Sequence, residues 1–293
     1  MAGSRDMLSS VATVLAVDIG GTKMVAGLVD GNGGVLERRT APTVAAVDGD
    51  RLFEVLVDLL PDTQGAEVVG VGCGGPMAPG GEQVSPLNIP AWRGFPLRRR
   101  LQEHTGLPTY VDNDAKALAL GEGWKGAAKD SDNFIAMVVS TGVGGGIVLD
   151  GRLLDGRLGN AGHIGHVVVE PDGRRCACGG RGCLEAEASG PNIRAATGRP
   201  PSEATPDTIE RTGTLVGRAV ASVANLLDLD LAVVAGSVAL GFGEPFFAAA
   251  QAEIDRRARL DFSRGTRIVA GGLGADGPLV GAAAVGLKGL TRQ

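Results

Sequence analysis

Long apolar runs are missing from this chain, and so is any excess of positive charge. No uninterrupted apolar stretch approaches the ~20 residues that a membrane-spanning helix needs, so the sequence predicts no membrane partner. Lys and Arg number 28 against 33 Asp and Glu, a formal charge of −5. That balance leaves no basic footprint for nucleic acid or for an anionic membrane surface. No G-x-x-x-x-G-K-[ST] pattern occurs, which excludes a P-loop. Aromatics are scarce, at 3%, and no long low-complexity tract interrupts the chain. Around Arg5 and Asp6 there is no signal-peptide pattern ahead of the first apolar run, which predicts a cytoplasmic protein.

What the chain has in quantity is glycine, 48 of 293 residues. Asp18-Ile19-Gly20-Gly21-Thr22-Lys23 lies between apolar runs at 13–17 and 24–29, and reads as strand, tight turn, strand. The two glycines let the backbone come close to a ligand and point N–H groups at it. Thr22 and Lys23 add a hydroxyl and a cation, and Asp18 suits a Mg²⁺ shell. A nucleotide phosphate fits such a turn; the plainer reading is a hairpin with a solvated lysine. The pattern recurs at 134–149, where Ser140-Thr141-Gly142-Val143-Gly144-Gly145-Gly146 divides two apolar runs. The recurrence points to a duplication at domain scale. A chain of 293 residues can bury two cores. Two turns facing each other across a cleft could hold one nucleotide from both sides.

Three of the four cysteines cluster as Cys176, Cys178 and Cys183, with His166 ahead of them in the spacing H-x9-C-x-C-x4-C. Three thiolates and an imidazole make a closed tetrahedral zinc site. In a reducing compartment such a set points to metal over disulfide. No coordination position is left open, so the metal would be structural; reduced thiols in a loop are the alternative. Cys73 stands apart after the run at 68–72 and is predicted to be a small buried residue.

Residues 111–122 open a helix that Asp112 or Asn113 can cap. An acid at a helix start commonly does no more than cap. Asn113 and Asp114 could also bond vicinal hydroxyls of a polyol, and a carboxylate is the usual proton acceptor in phosphoryl transfer to an alcohol. Upstream, Pro86-Leu87-Asn88-Ile89-Pro90-Ala91-Trp92 is a Pro-bounded loop that could cover a small polar ligand or merely turn. Downstream, His163-Ile164-Gly165-His166 and Glu185 flank the cysteines, and a metal-fixed His166 could offer its other ring nitrogen to a ligand.

Taken together, these segments resemble the ROK family of sugar kinases, from Asp18 to about Gly286. The resemblance implies an α/β, two-lobed actin-like ATPase fold, ribonuclease H-like and duplicated, with an interlobe cleft. The lobes would be 1–112 plus 278–293, and 113–277. The stretch at 278–285 would form the C-terminal helix that returns to the first lobe. ATP, Mg²⁺ and structural Zn²⁺ are the implied cofactors, and a hexose phosphorylated at its 6-hydroxyl is the implied substrate. Asp18, Gly20, Gly21, Thr22 and Lys23 resemble the first phosphate loop; Thr141, Gly142, Gly144 and Gly145 resemble the second. Gly236 falls in the turn that contacts adenosine, where Ala235 and Ser237 interrupt the family's run of glycines. Asp114 matches the catalytic base. Gly75, Asn88, Asn113, Asp114, His163, His166 and Glu185 match sugar-binding positions, and His166, Cys176, Cys178 and Cys183 match the zinc ligands.

One departure bears on the substrate. His163 stands where the family's Glu-x-Gly-His motif has Glu. A neutral imidazole accepts at one nitrogen and donates at the other, and a negative charge is lost from the pocket. Glucose, another hexose epimer, an amino sugar such as kanosamine or N-acetylmannosamine, and a cyclitol all stay open. So do ATP or polyphosphate as donor, and a homodimer. A sugar-sensing ROK regulator is the rival of another class, but a phosphate turn at position 18 leaves no room ahead of it for a helix-turn-helix domain. A Rossmann dehydrogenase is a weaker rival: Gly70-Val71-Gly72-Cys73-Gly74-Gly75 fits its fingerprint, but Pro76 and Pro79 follow where a helix should begin. His163-Ile164-Gly165-His166 also spells an aminoacyl-tRNA synthetase motif, without that motif's context. Elsewhere the chain reads as scaffold. Val216, Val220, Val223 and Leu227 form a buried helical stripe, Arg98-Arg99-Arg100 a solvated helix face, and residues 199–202 a loop.

Overall fold

Aliphatic runs broken by glycine turns set the order of elements. The computed structural model describes residues 13–44, 48–63 and 65–291, so Arg5 and Asp6 lie outside it. The chain runs β1 (Thr13–Ile19), β2 (Lys23–Asp30), β3 (Val35–Pro42), α1 (Gly49–Leu59), β4 (Val68–Cys73), α2 (Leu97–Thr105), β5 (Thr109–Asn113) and α3 (Asp114–Lys125). It continues through β6 (Phe134–Val139), β7 (Val143–Leu149), β8 (Arg152–Leu153), α4 (Leu184–Ala188), α5 (Gly190–Thr197) and α6 (Pro206–Leu227). It closes with β9 (Leu231–Ala235), α7 (Ser237–Phe242), α8 (Glu244–Arg257), β10 (Arg267–Ala270) and α9 (Gly277–Leu290).

Two compact units result. The first comprises the described residues up to Lys125, then Asp155–Ala161, then those from Leu273 onward; the second comprises Gly126–Leu154 and Gly162–Gly272. The first sheet has the order β3-β2-β1-β4-β5, the second β10-β9-β6-β7-β8. In each, three strands form an antiparallel meander and two more add in parallel: β4 and β5 beside β1, β9 and β10 beside β6. The same topology therefore occurs twice, as the recurring strand–turn–strand pattern predicts.

Side chains of β1 alternate between two cores, as the period of a strand requires. Leu15, Val17 and Ile19 pack with Leu52, Phe53 and Leu56 of α1 and with Leu97 and Leu101 of α2. Val14 and Ala16 face the other way, against Leu279, Ala282, Ala283 and Leu287 of α9. Gly70 permits that second contact. A Cβ there would come 2.0 Å from the Ala282 carbonyl oxygen, so the helix lies directly on the backbone of β4. The C-terminal helix does return to the first unit. β3, with alternating exposure and charged Glu37, Arg38 and Arg39, is an edge strand protected by its charges.

In the second unit Ile135, Met137 and Val139 of β6 pack with α6 and α8. Val216 and Val220 are buried, and Val223 and Leu227 are partly buried against the same core, so the predicted stripe is present. Thr205 and Pro206 start α6, and Asp228 ends it in a left-handed conformation.

Three local expectations change. The lobe boundary expected after residue 112 would detach α3 from β5; α3 instead stays with the first unit, where Gly121 lies against Gly281 of α9. Arg98 and Arg100 are not a simple solvated face. Arg98 donates to the carbonyls of Thr109 at 3.1 Å and Gly80 at 3.3 Å. Arg100 pairs with Asp50 and lies 4.2 Å from the Phe53 ring centroid, while Arg99 stays in water. The glycines after β4 open no α-helix, which removes the dinucleotide-binding rival. Among the described residues no helix is long and apolar enough to cross a membrane.

Candidate active site

Parallel pairing aligns the ends of three strands. Asp18 lies level with Gly72 and Asp112, and Ile19 with Cys73 and Asn113. In open α/β sheets ligands bind where parallel strands end at their carboxyl side. Each chain segment leaves that edge with one of the predicted groups: β1 into Gly20-Gly21-Thr22-Lys23, β4 into Gly74-Gly75, β5 into Asp114 at the start of α3. Asp114 was expected in the same lobe as the second glycine turn; it stands beside the first one, because β5 and α3 belong to the first unit.

The turn after β1 is closed by the Gly20 N–H donating to the Lys23 carbonyl at 3.0 Å, and the Thr43 hydroxyl donates to the Gly20 carbonyl at 2.8 Å. Asn88 rests on this turn: a Cβ built on Gly21 would come 2.5 Å from the Asn88 Cβ. The loop that carries Asn88 is a fixed platform. Trp92 is fully buried, stacks on Phe95 at 4.7 Å and donates from Nε1 to the Gly49 carbonyl at 3.0 Å. The Ala115 N–H is shared between Asn113 Oδ1 at 3.0 Å and Asp114 Oδ1 at 2.9 Å, so both side chains take part in capping α3. Asp114 Oδ2 lies toward Gly74, and Asn113 Nδ2 toward Gly75.

Charge is concentrated here. The Asp18 carboxyl is pushed up to about 7, first by burial at the strand ends and then by the negative charge of Asp114; Lys23 opposes the shift. Burial, Asp114 and Asp18 together push the Cys73 thiol up as well, and Cys73 is the small buried residue expected. Two carboxylates held against their own repulsion are a donor set that a hard dication relieves.

In the second unit the turn between β6 and β7 is shorter than its glycines suggest. Thr141 and Gly142 lie in it, whereas Gly144 and Gly145 pair with Val138 and Met137 inside the ladder. Gly145 is a packing position, close to the Gly162 carbonyl and to Ile164. Glu185, from the first turn of α4, accepts the Val143 N–H at 2.9 Å and reaches Gly142, so this carboxylate is bound to the turn itself. At the neighbouring strand end Gly236 has φ 101° and links β9 to α7; a Cβ would meet the Val139 carbonyl oxygen at 2.5 Å. Ser237, which reads in sequence as an interruption of a glycine run, has its hydroxyl 2.8 Å from that of Ser140 and ties the two turns together. Its partner lies 97 residues away, so no local signal could have revealed it.

His166, Cys176, Cys178 and Cys183 present ligand atoms that all lie within 4.8 Å of one another. Cys176 Sγ is 3.7 Å from His166 Nδ1, and Cys178 Sγ is 3.7 Å from Cys183 Sγ. A tetrahedral site with Zn–S bonds of about 2.3 Å has ligand–ligand edges of about 3.8 Å, whereas a disulfide needs sulfurs about 2.05 Å apart. The residues fit a closed metal site. Burial and the neighbouring thiols push Cys183 up to about 12, while the Gly180 backbone and the neighbouring thiols lower Cys178. With Nδ1 toward the sulfurs, Nε2 is the ring nitrogen of His166 that remains for another partner. The His163 ring lies nearly parallel to it, centroids 6.1 Å apart. α4 is anchored behind the cluster by Glu187. Burial would raise this carboxyl, but the Arg174 N–H and the guanidinium groups of Arg211 and Arg174 outweigh it and hold it at about 2.

Two sheets of one topology, each with a glycine turn at the end of its central strand, define the actin-like ATPase fold. Within it, the chain belongs to the ROK family, whose profile matches residues 14–288. It is 39% identical over 250 residues to the N-acetylmannosamine kinase of Citrobacter koseri, a match that covers 79% of this chain and 85% of that protein. The ROK hexokinase of Thermus thermophilus superposes with a TM-score of 0.83 at 32% identity, over 96% of this chain and 100% of that one. A ROK family glucokinase from Streptomyces griseus, solved with glucose and AMPPNP, superposes with a TM-score of 0.80 at 30% identity, over 94% and 100%.

Proposed function

We propose that this protein is an ATP-dependent sugar kinase that transfers the γ-phosphate to the 6-hydroxyl of glucose or a glucose-like hexose. The observation that carries the reading is the placement of Asp114, at the start of α3 and at the strand ends that also present Asp18 and the Gly20–Lys23 turn. Asp114 accepts the hydroxyl proton as the sugar oxygen attacks the γ-phosphorus; the bond from that phosphorus to the β-phosphate oxygen breaks, and ADP leaves. Gly75, Asn88, Asn113, His163, His166 and Glu185 orient the sugar hydroxyls. Gly20, Gly21, Thr22 and Lys23 in the first unit, with Thr141, Gly142 and Gly236 in the second, hold the nucleotide. Mg²⁺ would be held near Asp18, where it supplies charge neutralisation for the phosphates. His166, Cys176, Cys178 and Cys183 would hold a structural Zn²⁺, which would fix the His166 ring and leave Nε2 for a sugar hydroxyl.

A second reading keeps the chemistry and changes the sugar. The Citrobacter koseri relative is named for N-acetylmannosamine, and the imidazole of His163 offers one donor and one acceptor in place of a carboxylate. A panel of glucose, mannose, glucosamine, N-acetylmannosamine and kanosamine, with ATP or polyphosphate as donor and coupled ADP or direct sugar-phosphate detection, decides the matter. One sugar should stand out by kcat/KM, and His163→Glu should shift the ranking. No phosphorylation of any sugar above background would overturn the kinase reading.

A further inference from the structure

The arm of the cysteine loop that carries Cys176 and Cys178 is tied to α4 by one buried carboxylate. Glu187 lies one helical turn beyond Cys183, the residue that caps α4, and its side chain is 2% exposed. Its Oε1 accepts the Arg174 N–H at 2.6 Å. Its Oε2 accepts from Arg174 Nη2 at 2.9 Å and Nε at 3.2 Å, and from Arg211 Nη2 at 2.7 Å. A Cβ on Gly173 would come 2.5 Å from Oε1, so the carboxylate sits directly against the backbone of the arm. Among the described residues, every hydrogen bond from 170–178 to α4 ends on Glu187. The other braces of this arm stay within the loop, as from Arg181 to the Gly173 carbonyl at 2.8 Å, or reach other helices. Arg174 donates to the Asn192 carbonyl of α5 at 2.9 Å, and Arg218 of α6 lies 3.5 Å from Glu170.

Burying a charge is costly, and an apolar side chain of similar volume often gives as much stability as a buried ion pair. What the carboxylate adds at this place is geometry. It fixes a backbone N–H two residues before Cys176 to the helix that Cys183 caps. Three of the four ligands stand on the two segments so joined: Cys176 and Cys178 on the arm, Cys183 at the cap. A metal that meets its ligands already gathered loses none of its binding energy to closing the loop. We infer that Glu187 is a positioning residue for the metal centre: through Arg174 it holds the cysteine loop closed before the metal arrives. The inference rests on the structural-metal reading above.

Glu187→Ala tests it. Arg174 and Arg211 are 34% and 46% exposed, so both guanidinium groups can turn to water and the fold is spared. The zinc dissociation constant, measured by competition with a chromophoric chelator, should rise about tenfold or more. Glu187→Gln keeps an acceptor for the Arg174 N–H and should restore part of the affinity. Arg211→Gln leaves every bond of Arg174 in place and should change the affinity little; a loss equal to that in Glu187→Ala would assign the effect to charge alone and overturn the inference. In the metal-free protein, hydrogen–deuterium exchange at 174–183 should speed up in Glu187→Ala, and saturating zinc should slow it again. An unchanged dissociation constant in a folded variant, even one with a lowered Tm, would reduce Glu187 to a structural anchor and overturn the inference. So would unchanged exchange. Should Glu187→Ala not fold, Glu187→Gln, of nearly the same volume, carries both readouts. If the wild-type protein binds no zinc, the metal reading falls instead, and exchange alone still decides whether Glu187 holds the loop closed.

Discussion

Asp18 carries a raised pKa in the folded chain, and the direction of its effect on stability follows. A carboxyl whose folded value is about 7, against an ordinary 3.8, contributes its stability fully below the ordinary value and loses it as pH rises through 7. The ligand-free protein should therefore lose stability between pH 4 and 7.5 on account of this group. Asp18→Asn should flatten that slope and raise Tm at pH 8 while weakening Mg²⁺–nucleotide binding; parallel Tm–pH curves for the two proteins would show that the carboxyl is not perturbed. Asp114→Asn keeps an oxygen for the Ala115 N–H, so the cap survives while the base is lost. Turnover should drop by about 10²–10⁴ with circular dichroism and Tm little changed, and near-normal turnover would refute the role. Asp18 with its glycine turn, and Asp114 with Asn113, were each legible because the chemistry of each motif lies in contiguous residues. Ser237, Lys116 and Arg100 were not, because what each touches lies far away in the chain: 97 residues for Ser237, 39 for the Lys116–Asp155 bond and 50 for Arg100.

At the scale of elements, the loop from His166 to Cys183 has little apolar content to fix it. Its backbone is held by short contacts such as Cys176 N–H to Gly180 O at 2.9 Å and Gly182 N–H to Arg174 O at 2.8 Å. A metal at its four ligands would supply the missing cohesion. Cys178→Ser should lose the bound metal and lower Tm by several degrees, about what 1–2 kcal/mol does to a domain of this size. Elemental analysis and calorimetry would check both, and unchanged metal content would remove the cluster from the proposal. The cysteine spacing made this element readable. The extent of the second glycine turn was harder to see. Gly144 and Gly145 look like turn residues but pair in β7, since a glycine that admits a ligand and one that admits a neighbouring backbone leave the same mark in a sequence.

For the whole molecule, the duplicated strand–turn–strand signal was enough to anticipate two related sheets, and the resemblance supplied their fold. The division between units was not legible. It depends on α3 packing against α9, a contact between residues more than a hundred positions apart that no local pattern encodes. Deletion of 277–290 should leave Val14, Ala16 and Val68 uncovered on one face of the first sheet. The truncated protein should be insoluble or bound to chaperones, measured by soluble yield; a soluble, cooperatively unfolding product would contradict that packing.

That same helix has a bearing on biosynthesis. A ribosome delivers the first sheet well before the helix that covers it, so one hydrophobic side of that sheet stays open until residues 277–290 emerge. The nascent chain can complete the second unit before the first. A chain stopped ahead of residue 277 therefore presents an exposed sheet in search of a partner.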